Sequence, residues 1–158
     1  WKRVYGFRTD ARALSFLAPL VAPRPVLRVE LVLEAHYHGD TALCAFGPQR
    51  EYLLAWKPAI EAESWERLRE TFGEHLLELG DDDAARYAAN AFTYTPCGQH
   101  GATRESFLFL PGGVSDALLA QLRERGVTPV TIDVSEFLKK GGGSVKCMIG
   151  DLGPVEGV

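Results

Sequence analysis

The sequence predicts an α/β fold in which strand pairs and single helices recur three times. Three observations carry this. Residues 26–33 alternate apolar and polar side chains (Val-Leu-Arg-Val-Glu-Leu-Val-Leu), the period-two pattern of a strand. Residues 61–72 and 116–125 read as helices, the first amphipathic and rich in Glu and Arg, the second opened by Ser115 and closed by Gly126. Turn pairs such as Gly47-Pro48 divide short β-prone runs. The chain of 158 residues can bury the core of one domain, and no linker splits it, so residues 1–158 read as a single domain.

Taken in order, residues 3–7 are a strand, and Asp10 is placed to cap a helix over 11–21, closed by Ala22-Pro23-Arg24-Pro25. The strand at 26–33 follows, then strands at 41–46 and 52–56 around the Gly47-Pro48 turn. The helix at 61–72 leads to a strand at 75–79. Asp81-Asp82-Asp83 reads as the solvated cap of a short helix reaching Asn90. Strands are expected at 92–95 and 107–110, then the helix at 116–125 and final strands at 129–134 and 144–149. The pattern suggests a structural repeat of about 50 residues without a sequence repeat of fixed length.

Composition narrows the function. The apolar fraction is 46% and the charged fraction 24%, as in soluble globular proteins, and no apolar run approaches a membrane span. The net charge of −4 without a basic stripe argues against nucleic acid and mildly suits a cationic ligand. Cys44, Cys97 and Cys147 are odd in number and lack paired spacing. They predict reduced thiols in a cytoplasmic setting and exclude a zinc ribbon. The opening WKRVYGF has neither leader nor initiator Met and is expected to lie inside a longer chain. No Rossmann or P-loop pattern is present, because Gly141–Gly143 precede an expected strand rather than a helix.

The chemistry-bearing candidates are few. Gly141-Gly142-Gly143 runs toward Cys147, and glycines permit a ligand to approach the backbone closely. Cys147 is therefore either a nucleophile or an inert core thiol. In a regular strand Lys146 would face away from the thiol. A cysteine nucleophile needs an acid/base partner, usually histidine. His75 and His100 read as structural. His36-Tyr37-His38-Gly39-Asp40-Thr41 is more informative, because His38 and Asp40 can present an imidazole and a carboxylate to one cleft. Its His-x-His pair lacks the further ligands a metal would need.

These residues resemble the guanidine-modifying (pentein) superfamily of arginine deiminases, dimethylarginine dimethylaminohydrolases and amidinotransferases. Residues 37–44 (YHGDTALC) resemble its histidine strand, and Ala88-Ala89-Asn90 its Asn-containing turn. Residues 135–139 (SEFLK) with Gly142, Gly143 and Cys147 resemble the approach to its nucleophile. Gly6-Phe7-Arg8-Thr9-Asp10 resembles the motif whose arginine clamps a substrate carboxylate. The motifs occur in the family's order across essentially the whole chain. A glycine stands between His38 and Asp40 where the family usually has a bulky residue.

The resemblance implies an α/β-propeller of ββαβ-type blades, of which this chain would carry about three of five as a C-terminal portion. It implies Cys147 as nucleophile, His38 as general acid/base, and Asp40, Arg8 and Asn90 as substrate-binding residues. No metal or organic cofactor is implied. The substrate would be a small guanidine, arginine or a substituted arginine, with hydrolysis preferred to amidino transfer. The family's Glu-Gly-Gly-Asp motif would lie upstream of the seven residues that precede Arg8, so a partner segment or chain at the N-terminal side is expected. The alternative reading is an incomplete, non-catalytic module that binds a partner chain or a cation. On the residues alone, Arg8 also fits an ordinary ion pair, Asn90 a satisfied turn, and Glu136 with Lys139 a local pair. Cys44 and Cys97 fit core or edge thiols.

Overall fold

The computed structural model describes residues 2–23, 26–96, 105–139 and 141–150. Among the described residues eight strands form three small sheets. In the first, β1 (Lys2–Tyr5) and β2 (Leu27–Glu30) run parallel, joined by α1 (Ala13–Val21). In the second, β3 (Leu43–Phe46) pairs antiparallel with β4 (Tyr52–Ala55). Helix α3 (Ala62–Phe72) then crosses over to β5 (Leu76–Glu78), parallel to β4. The third repeats this order, with β6 (Phe92–Tyr94) antiparallel to β7 (Ser106–Pro111). Helix α5 (Asp116–Glu124) connects β7 to the parallel strand β8 (Val127–Ile132). The chain thus holds two ββαβ units preceded by a βαβ unit, and β1 occupies the position that β4 and β7 hold in theirs.

Cap chemistry sets where α3 and α5 begin. The Glu61 carboxylate accepts from the N–H groups of Glu63 and Ser64 at 2.8 Å each, and Ser115 Oγ accepts from Leu118 N–H at 3.2 Å. At Asp10 the expected cap is absent. Its carboxylate instead takes the backbone N–H and guanidinium of Arg12, and α1 starts at Ala13.

The core is double. Val29, Leu43, Leu53, Trp65 and Leu68 fill the space between the first and second sheets. Phe46, Leu54, Leu77, Leu108, Leu110 and Leu122 fill the space between the second and third. Strand β4 lies mid-sheet, and Leu53, Leu54 and Ala55 are all fully buried, so successive residues serve opposite cores. The partly buried Trp56 touches both cores.

Several expected boundaries shift for identifiable reasons. The strand expected at 144–149 is a 3-10 turn, Val145–Met148. Its N–H groups bond locally and to Asn90 instead of to a ladder: Lys146 to the Asn90 carbonyl at 3.0 Å, Cys147 to the Ser144 carbonyl at 3.1 Å. Residues 41–46 begin as a helical turn, α2 (Gly39–Ala42), which the Thr41 hydroxyl helps close by donating to the His38 carbonyl at 2.7 Å. Strand β2 stops at Glu30, and beyond a single bridge from Leu31 to Ile60 the chain turns through Glu34–His36.

Helix α4 (Asp81–Ala85) ends well before Asn90, because Asp83 supplies its carbonyl to Arg86 and Ala88 while Tyr87 sits at φ 56°. Asp83 is not solvated. It is buried, and its two carboxylate oxygens accept the Ser115 N–H and hydroxyl at 2.7 Å each, tying α4 to the start of α5. Cys97 and His100 lie outside the described residues. Among the described residues no helix is long and apolar enough to cross a membrane.

Candidate active site

The site is assembled on irregular backbone at the ends of regular elements. After β2 the chain makes the turn Glu34–His36 and then α2, and this loop carries His38 and Asp40. It is held from within by His36, which is buried between Trp56 (ring centroids 4.6 Å apart) and Tyr87 (5.1 Å). His36 Nδ1 donates to the Thr41 carbonyl at 3.0 Å. Burial pushes the His36 pKa below its ordinary value, with the Thr41 bond opposing. The ring is thus held neutral, in a scaffolding role. Gly39 explains the small residue between His38 and Asp40: a Cβ there would stand 2.7 Å from Val4 Cγ2, so only glycine lets this loop close onto β1.

A cavity of about 390 Å³ opens above that contact, lined by Arg8, Thr9, Tyr37, His38 and Asp40 among others. The Arg8 guanidinium lies 5.1 Å over the Tyr37 ring, and His38 meets the same ring edge-on at 4.6 Å. Arg8, His38 and Asp40, from loops about thirty residues apart in sequence, are therefore gathered in one cavity. Asp40 directs Oδ2 to Lys146 Nζ at 3.3 Å, while Oδ1 is buried with no hydrogen-bond partner among the described residues. That carboxylate oxygen is an acceptor still to be satisfied, as a cationic N–H donor would do.

Cys147 sits in the 3-10 turn with its residue exposed and does not line that cavity itself. The turn is tied to the cavity through Asn90, which is fully buried. Asn90 Oδ1 accepts from Ser144 N–H at 2.7 Å and from Cys147 N–H at 3.2 Å. Asn90 Nδ2 donates to the Asp40 carbonyl at 3.1 Å. The glycine run is packed as closely as its composition allows. A Cβ on Gly143 would collide with Cys147 Sγ, and one on Gly142 with the Tyr37 hydroxyl.

Tyr37, Lys146 and His36 join the site without having been singled out for it. Lys146 was hidden by the strand expectation, which turned it away from its neighbours, whereas the 3-10 turn brings its ammonium to Asp40. Tyr37 carried no signal beyond its place beside His38. The residues read as structural lie elsewhere: His75 stacks on Tyr52 at 5.0 Å, and Cys44 is buried in the core. Glu136 and Lys139 form a local surface pair at 2.5 Å. Among the described residues no three His, Cys, Asp or Glu side chains are grouped as for a metal ion.

No protein-family model matches the chain. It is 35% identical over 150 residues to N(G),N(G)-dimethylarginine dimethylaminohydrolase of Mycobacterium tuberculosis, covering 95% of this chain and 44% of that protein. It is 30% identical over 146 residues to the bifunctional arginine dihydrolase/ornithine cyclodeaminase AgrE of Nostoc, covering 91% of this chain and 18% of that one. Among solved structures, the N-terminal domain of ArgZ matches at a TM-score of 0.77 and 27% identity, over 93% of this chain and 49% of that chain. ArgZ is described there as an arginine dihydrolase from the ornithine–ammonia cycle in cyanobacteria, with product bound. A form of the same domain covalently bonded to a reaction intermediate matches equally well. The chain spans less than half the length of the curated relatives it matches. Its sequence similarity along nearly all of its own length and its likeness of fold both fit the guanidine-modifying (pentein) superfamily.

Proposed function

We propose that this chain carries the nucleophile-bearing part of a guanidine hydrolase acting on arginine or a substituted arginine. The carrying observation is the gathering of Arg8, His38 and Asp40 around one cavity, with the Cys147 turn fastened to Asp40 through Asn90. In this reading the two ββαβ units and the βαβ unit are blades of an α/β propeller, and the remaining carboxylates of the site come from a segment or chain outside these 158 residues. A thiol-dependent reaction suits a reducing, cytoplasmic compartment.

A guanidinium carbon is a reluctant electrophile because its charge is spread over three nitrogens. Asp40 holds two of those nitrogens by charge-assisted hydrogen bonds, and Arg8 pairs with the carboxylate at the other end of the substrate. The Cys147 thiolate attacks the carbon, forming a C–S bond as the C=N electrons move onto nitrogen. His38 as imidazolium gives its proton to the departing nitrogen, the C–N bond breaks, and a thiouronium remains on Cys147. Neutral His38 then takes a proton from water as its oxygen attacks the same carbon. Collapse forms the C=O bond as the hydroxyl proton passes to solvent, breaks the C–S bond, returns the thiolate and releases a ureido product. Thiol, imidazole and carboxylate suffice, so the mechanism uses no metal or organic cofactor.

Hydrolysis is preferred to amidino transfer because the named relatives are hydrolases and no acceptor site is apparent among the described residues. A second reading is supported by the partial coverage of those relatives: a non-catalytic module that binds a cation or partner chain. Intact mass spectrometry after incubation with a haloacetamidine separates the two. The hydrolase reading expects one amidine adduct, lost in Cys147→Ser, together with turnover of arginine or dimethylarginine by the full-length protein. A protein that remains unlabelled and inactive while binding its partner supports the second reading.

A further inference from the structure

We propose that Asn90 is a positioning residue that sets the span between the Asp40 carboxylate and the Cys147 thiol, and that it does not touch substrate. This rests on the guanidine-hydrolase reading above.

The two segments that Asn90 joins have no ladder to hold them. Asp40 is in a single helical turn and Cys147 in a 3-10 turn, 50 and 57 residues from Asn90 in sequence. Asn90 reaches both at once. Its Oδ1 accepts the Ser144 and Cys147 N–H groups, its Nδ2 donates to the Asp40 carbonyl, and its own carbonyl accepts Lys146 N–H. Its own N–H is bonded to the Tyr87 carbonyl at 2.9 Å. With both oxygens and the backbone N–H engaged and the residue wholly buried, little is left for a ligand.

The amide orientation follows from its partners, since flipping it would set an NH₂ group against two N–H donors and an oxygen against a carbonyl. The Lys146–Asp40 pair crosses the same gap, but at 48% and 29% side-chain exposure it is a weak constraint. The buried amide therefore carries the geometry. Gly143 is matched to it, because a Cβ there would stand 3.1 Å from Asn90 Oδ1. Aspartate at this position would lose the donor to Asp40, leucine would lose both functions, and glutamine is a methylene too long.

The test uses the full-length protein and two reagents of nearly one shape, cationic 2-chloroacetamidine and neutral 2-chloroacetamide. The ratio of their alkylation rate constants at Cys147 reads how well thiol and carboxylate are set for a cation. Asp40→Asn defines the floor of that ratio. Asn90→Ala is expected to lower it about tenfold toward that floor, the size of one misplaced buried interaction, while circular dichroism stays native. A folded Asn90→Ala protein that keeps the wild-type ratio overturns the proposal. Wild-type protein with no preference for the cation instead overturns the guanidine-hydrolase reading itself.

Amide hydrogen exchange on the wild type needs no variant to fold. The Ser144 amide, buried and bonded to Asn90 Oδ1, is expected to exchange at least about a hundredfold more slowly than the exposed Gly150 amide. Equal rates would refute the role assigned to Asn90.

Discussion

His36 Nδ1 and the Thr41 carbonyl, 3.0 Å apart, close the loop that presents His38 and Asp40. The bond needs only a neutral ring, and burial depresses the pKa of that ring. Above about pH 6.5 His36 is neutral both folded and unfolded, so its contribution is constant there. As pH falls below that value, the unfolded chain takes up a proton that the folded site resists. Stability is therefore lost with acidification until the folded pKa is passed. His36→Phe keeps the stack on Trp56 and Tyr87 and should flatten this part of the profile. Urea titrations between pH 5 and 8 give the comparison, and an unchanged slope in the variant would assign the pH dependence elsewhere.

Asp83 holds the third unit together at the start of α5. Asp83→Ala removes two 2.7 Å bonds and strands the Ser115 N–H, and should cost about 2–3 kcal/mol in urea unfolding. Asp116→Ala, an exposed neighbour, should cost less than about 0.5 kcal/mol.

Gly142 and Tyr37 make a reciprocal test of the site's packing. Gly142→Ala should slow Cys147 alkylation about tenfold by driving the glycine run off the Tyr37 hydroxyl. Removing that hydroxyl leaves Tyr37 Cζ at an ordinary 3.5 Å from the new methyl. The double variant with Tyr37→Phe should therefore recover most of the lost rate, whereas additive losses would show that the collision is not the cause.

Lys146 partly neutralises Asp40. Lys146→Met should raise the affinity of a cationic guanidine about threefold at low ionic strength, with the gain disappearing near 1 M salt. Isothermal titration with arginine across a salt series measures this. A weaker affinity in the variant would mean that the ammonium assists binding.

Much of the fold could be read ahead because its signals are local. Ser115 and Glu61 advertise two helices through the N–H groups that they satisfy within three residues. The strands of β2, β4 and β7 follow side-chain patterns that a sheet imposes along one segment. What could not be read depends on partners far away. The turn at Val145–Met148 lies in a segment that mimics a strand, yet its Cys147 N–H bonds to a side chain 57 positions upstream and its Lys146 N–H to the same residue's carbonyl. Asp83 looked solvated because Ser115, which buries and satisfies it, lies 32 residues on.

The site residues Arg8, His38, Asp40 and Cys147 were nominated by type and resemblance. Asn90 was nominated by resemblance as a substrate-binding residue, and nothing in the sequence marked the amide bonds by which it links two of their loops.

The double core has a thermodynamic consequence for ligands. Neither space between sheets is closed by one unit alone, so neighbouring units melt together rather than in turn. Asp40 precedes β3 in the second unit, and Cys147 is anchored from the chain leading into β6 in the third. A molecule that grips both sides of the cleft acts as a clamp across that seam. Its binding free energy would be shared by both cores and raise the melting temperature of the whole chain, with Trp56, which touches both cores, as an intrinsic optical reporter.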